Sequence, residues 1–134
     1  MKAEHLRIGN WVEIKDQEVK TYAQIEGIGN LQHVAGQLWS IEELEPIPLT
    51  EEWLTRFGFE FNGYCSFWKS DIELTKDVGD IHYSVFNVYG YSLHRDGIIQ
   101  YVHQLQNLYH ALTGEELQTD EEVKEYTDEK NYKD

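Results

Sequence analysis

From residue 11 to 15 the apolar Val12 and Ile14 alternate with Glu13 and Lys15, the period-two pattern of a half-buried strand. A second β-rich stretch covers 19–28, and Gly27 with Gly29-Asn30 marks a bend or hairpin at its end. Leu31-Gln32-His33-Val34 and Leu38-Trp39-Ser40-Ile41 read as two further short strands about Gly36. Four or five short strands in the first 48 residues predict a small SH3-like β-barrel or curled sheet.

Glu45-Pro46-Ile47-Pro48-Leu49 reads as a stiff, extended connector, because each proline biases its predecessor toward extended backbone. Thr50 is placed to cap a short linker helix with Glu51 and Glu52 in its first turn, and Gly58 fits the left-handed position after its end. The period then returns to two. Phe59-Glu60-Phe61 alternates, Asn62-Gly63 is the strongest hairpin signal in the chain, and Tyr64-Cys65-Ser66-Phe67-Trp68 runs back. Ile72-Glu73-Leu74, a long strand over 81–89 and Tyr91-Ser92-Leu93-His94-Arg95 complete an expected antiparallel meander. Over 98–112 the spacing becomes helical: Ile98, Val102, Leu105, Leu108, Tyr109 and Leu112 form a stripe, with Gln100, Gln104, Gln106 and Asn107 off it. Asp96 is the expected cap of that helix, and Thr113-Gly114 ends it.

The expected class is therefore α+β. Residues 1–48 form a small barrel-like subdomain, and residues 49–114 form an antiparallel sheet covered by one C-terminal amphipathic helix. Residues 115–134 form an acidic tail with little to bury, expected to be flexible. The length of 134 residues fits one such domain, and an apolar content of 40% supports a core.

Charge changes the picture most. Eleven basic residues oppose 25 acidic ones, a formal charge of −14. The last twenty residues hold nine acids against three lysines (net −6), and the remainder carries −8. This balance disfavours nucleic-acid binding, which depends on clustered Lys and Arg; it either serves solubility alone or presents a phosphate-like surface to a basic protein partner. A single cysteine, Cys65, supplies neither a disulfide framework nor a Cys-based zinc site, consistent with a reducing, cytoplasmic setting. No stretch approaches the roughly 20 apolar residues of a membrane span, so no membrane partner is expected.

Motifs of phosphate loops, zinc proteases and serine hydrolases are missing from the sequence, and no cofactor or metal is expected. The enzymatic alternative rests on histidines. His103 and His110 share a helix face but stand about 10 Å apart at 1.5 Å per residue, too far to bind one metal. If His82 or His94 from the sheet met His103, then together with Arg95 they would form a pocket for a phosphorylated or nucleotide-like molecule. Four tryptophans and nine tyrosines exceed what a core of this size hides comfortably. Trp11, Trp39, Trp68 and Tyr91 are accordingly the candidate surface anchors for a protein partner, and the same excess leaves room for a homodimer.

Three blocks resemble a family of small proteins encoded in phages, prophages and conjugative elements of gut bacteria. They are Leu6-Arg7-Ile8-Gly9-Asn10-Trp11-Val12, Pro46-Ile47-Pro48-Leu49-Thr50-Glu51-Glu52-Trp53-Leu54 with Phe57-Gly58-Phe59, and Tyr101-Val102-His103-Gln104-Leu105-Gln106-Asn107-Leu108-Tyr109 through Leu112-Thr113-Gly114-Glu115-Glu116-Leu117. The resemblance assigns no catalytic residues. It implies a mobile-element setting, in which small acidic proteins often bind host proteins; the acidic surface adds the specific expectation of an inhibitor of a host nuclease or defence factor with a basic groove.

Overall fold

The computed structural model describes residues 5–61, 66–70, 72–76, 83–87, 98–119 and 125–127, apart from the side chains of 85–87, 98 and 125–127. Across these residues it is mixed α+β, with two antiparallel sheets and one main helix. The chain divides into two compact units, residues 1–47 with 122–134 and residues 48–121.

In the first unit, β1 (Trp11–Ile14) pairs with β2 (Thr21–Gly27) so that Val12 faces Ala23 and Ile14 faces Thr21. β3 (Gln32–Val34) and β4 (Gln37–Trp39) continue the sheet on one side, joined by a two-residue turn at Ala35-Gly36. A 3₁₀ turn (Ile41–Glu43) follows, where the Glu43 carboxylate accepts hydrogen bonds from the Ser40 amide and hydroxyl. β5 (Leu44–Glu45) then pairs with the far edge of β1. The outcome is a curled antiparallel sheet in the order β4-β3-β2-β1-β5. One face buries Leu6, Val12, Ile14, Ala23, Ile25, Val34 and Leu44 as a single core.

β2 is longer than either neighbour on its second edge. β3 covers only its C-terminal half, and the N-terminal half is covered by β11 (Glu125–Thr127), which pairs Tyr126 with Tyr22. Residues 125–127 of the acidic segment thus belong to the first unit's sheet.

The second unit begins with extended backbone. Pro48 bridges to Tyr101, and the Leu49 amide donates to the Gln100 carbonyl at 2.9 Å. The same rung therefore sets the start of both helices. In α1 (Glu51–Arg56) the Thr50 hydroxyl accepts from the Trp53 amide. At its end the Gly58 amide donates to Thr55 and the Phe59 amide to Leu54. That paired closure needs left-handed backbone after the helix, and Gly58 supplies it with φ of +89°.

The second sheet runs β10-β9-β8-β7-β6, from β6 (Glu60–Phe61), β7 (Ser66–Lys69), β8 (Ile72–Lys76), β9 (Tyr83–Asn87) and β10 (Ile98–Ile99). Its register departs from the sequence expectation at the first hairpin. A two-residue turn at Asn62-Gly63 would set Phe61 opposite Tyr64, whereas Phe61 faces Phe67 and Glu60 faces Trp68. The connection is therefore longer, and its residues 62–65 lie outside the described ones.

The expected helix over 98–112 is also corrected at its start. Ile98 and Ile99 pair with Ser84 and Tyr83 as β10, and α2 spans Val102–Thr113. The Gln104 side chain, not Asp96, marks the boundary: its oxygen accepts from the Gln100 and Tyr101 amides, both at 2.9 Å. The buried face of α2 comprises Val102, His103, Leu105, Gln106 and Tyr109, while Leu112 is exposed. Tyr109 ties the helix to the sheet unit through an edge-on contact with Phe59 and a 3.3 Å hydrogen bond with Ser70.

Two substitutions check this packing by chemical denaturation. Leu74→Ala, at a fully buried site between β7 and β9, is expected to cost about 2–5 kcal/mol. Gly114→Ala, at the left-handed end of α2 where a methyl group meets open space, is expected to cost only about 1 kcal/mol.

Candidate functional site

Side chains alternate along a strand, so the register of the second sheet decides what each face presents. Phe67 faces Leu74 across β7 and β8, and both are buried. The next residue along, Trp68, must point the other way. It lies between Glu60 on β6 and Glu73 on β8, directly opposite each across the backbone ladder. Trp68 is 45% exposed. On the same face the Ser66 and Thr75 hydroxyls share a 3.0 Å hydrogen bond.

The lysines of this hairpin belong to the opposite face. Lys69 brings its Nζ beside Gly58, and Lys76 holds its Nζ 5.8 Å from the centre of the Tyr83 ring. Among the described residues, the ion pairs of Arg56 with Glu52 and of His110 with Glu116 involve neither Glu60 nor Glu73. The row Glu60-Trp68-Glu73 is thus an aromatic surface framed by two carboxylates. Phe61 adds a second exposed ring at the edge of the sheet, leaning on Phe67 with ring centres 4.9 Å apart on the other face.

The other candidate anchors divide. Trp11 is 2% exposed, so its indole is part of the interior and offers nothing to a partner. Trp39 is half-buried against the core of the first unit, and its indole N–H donates to the Val34 carbonyl at 3.2 Å. Tyr91 lies outside the described residues, as do His82, His94 and Arg95. His103 faces inward, 5% exposed, with its ring stacked 6.1 Å from that of Tyr101. The helix face that sequence spacing gives to both His103 and His110 is thus buried at the first and open at the second, whose side chain is 45% exposed. Among the described residues no group of three His, Cys, Asp or Glu is arranged to hold a metal ion, and no helix is long and apolar enough to cross a membrane.

Two further features surround these residues. In the first unit, Ile8, Gly9, Gln24, Ile25 and Glu26 line a cleft of about 330 Å³. Its wall is fixed by hydrogen bonds from the Gly9 amide to Ile25 and from the Gln24 side chain to Gly9, which leave Ile8 62% exposed. In the second unit, Tyr83 is fully buried and its hydroxyl has no hydrogen-bond partner among the described residues. Burial, and then the negative charge of Glu51, push this phenol above the usual tyrosine range.

Set against family models, curated proteins and solved structures, the chain matches none.

Glu60 and Glu73 were not singled out by sequence reasoning. The available signal was alternation: Glu60 lies between two phenylalanines and Glu73 between Ile72 and Leu74, so both face away from an apolar core.

The Tyr83 phenol gives a pH test. An acid held neutral in the folded state contributes stability that is complete below the unfolded tyrosine pKa of about 10 and is lost as pH rises through the higher folded value. Stability is therefore expected to fall above about pH 10, and Tyr83→Phe is expected to flatten part of that fall. At pH 7 the same variant removes an unpartnered buried hydroxyl and is expected to hold or raise stability, by up to about 1–2 kcal/mol in denaturant melts.

Proposed function

We propose that this chain is a non-catalytic accessory protein of a mobile genetic element, acting in the cytoplasm of a bacterial cell by binding a host protein. The observation that carries the reading is Trp68, a large indole left on a sheet surface between two glutamates in a chain of formal charge −14. Exposed tryptophan is costly to leave in water and is enriched among residues that dominate binding energy. The surrounding negative charge favours a basic partner and repels nucleic acid. The mobile-element setting rests on the three sequence blocks, whereas the finer reading of the first unit as an SH3-like barrel rests on its run of short strands and that of α2 as the cover of the second sheet on its apolar stripe. A nuclease or defence factor with a basic groove is the partner that this surface chemistry fits.

Affinity capture compares the tagged protein with its Trp68→Ala variant, both checked for folding by circular dichroism. A stoichiometric protein held by the parent chain and weakened tenfold or more by the variant is expected, in line with the effect of an anchor residue of about 2 kcal/mol. Raising salt from about 50 to 500 mM should weaken the complex further, because surface charges are then screened within a few ångströms. A partner retained equally by both chains would overturn the role of the tryptophan face. A complex indifferent to salt would overturn the charge-led version.

A further inference from the structure

Resting on that reading, we infer that the Glu60-Trp68-Glu73 row is a recognition site for an arginine side chain of the basic partner. The argument is geometric. Adjacent strands stand about 4.8 Å apart, so the two carboxylate-bearing positions flank the indole at about 5 Å on either side and about 10 Å from one another. A planar guanidinium laid on the indole face gains cation–π attraction and presents its N–H edge outward in the plane, toward a carboxylate on either flank. A lysine ammonium is a point donor with no plane to stack, so it satisfies the ring or one carboxylate less completely.

Among the described residues the row is also left without internal neutralisation. Lys69 and Lys76 are held on the other face, and neither glutamate is ion-paired among the described residues. Two carboxylates beside an indole thus leave a local charge of −2 around an apolar platform. A second copy of this chain is a poor occupant, since it brings another −14 and has only three arginines, Arg7, Arg56 and Arg95. A nucleic acid fails for the same electrostatic reason.

The test uses the full chain and a labelled, capped hexa-arginine peptide, with hexa-lysine as comparison, at about 50 mM salt. Binding is read by fluorescence anisotropy and by the indole N–H signal of Trp68, assigned by its loss in Trp68→Phe. The arginine peptide is expected to shift that signal and to bind severalfold tighter than the lysine peptide. Trp68→Leu should weaken it about tenfold, and so should the double variant Glu60→Gln with Glu73→Gln. The charge-matched control Glu42→Gln with Glu115→Gln, both exposed and remote in sequence, should stay within about twofold. Equal losses in the two double variants, or no loss in Trp68→Leu, would show diffuse charge attraction and overturn the arginine site while leaving an acidic interaction surface standing. Capture of a partner through Trp68, with no peptide shift of its indole, would overturn the arginine occupant alone. Failure of both experiments would overturn the functional reading itself.

Discussion

The register between β6, β7 and β8 is the constraint on which the second unit depends. With Phe61 opposite Phe67 and Phe67 opposite Leu74, one face gathers the rings and aliphatic chains that form the interior. The other face is left with Glu60, Trp68 and Glu73 in a row. A slip of one residue would send Leu74 into water and Glu73 into the core, which a buried carboxylate without a partner makes prohibitive. The surface and the interior are thus two consequences of one choice of pairing, and the surface could not change independently of the core.

A parallel constraint fixes the helices. Pro48-Leu49 and Gln100-Tyr101 meet as a short extended rung just before α1 and α2 begin. A proline-containing segment has little conformational entropy to lose on pairing, and Pro48 contributes no amide that would be left unsatisfied. The Gln104 side chain then closes the amides of residues 100 and 101, so the transition from strand to helix occurs within two residues. Both helices are positioned by backbone bonds formed ahead of them.

Much of this was legible in the residues. Thr50 and Gly58 delimit α1 because capping and left-handed closure are local demands that the sequence states directly. The alternation of Val12 and Ile14 similarly identifies β1. What escaped was parity and context. Asn62-Gly63 is a strong turn signal, but a two-residue turn there sets Trp68 on the same face as Phe61, whereas the longer connection puts it with Glu60. Ile98 and Ile99 satisfy a helical stripe equally well, and only the partner strand, some fifteen residues earlier, decides that they are extended. His103 and Gln106 look polar in isolation, yet the helix buries the face that contains them. Of the tryptophans, composition could say that some lie outside, but not which: Trp11 sits on the face of β1 opposite Val12 and is buried nonetheless.

The pairing of β11 with β2 has a consequence for synthesis. It joins positions on the order of a hundred residues apart and makes the first unit discontinuous, with the whole second unit lying between its parts in the chain. As the polypeptide leaves the ribosome, the N-terminal strands emerge first, but the upstream half of the second edge of β2 stays open until residues 125–127 arrive. Until then the Tyr22 amide and carbonyl, which alternation turns away from β1, stay open to any passing strand. The second unit is continuous and has no such wait. The order of emergence is therefore the reverse of the order of completion.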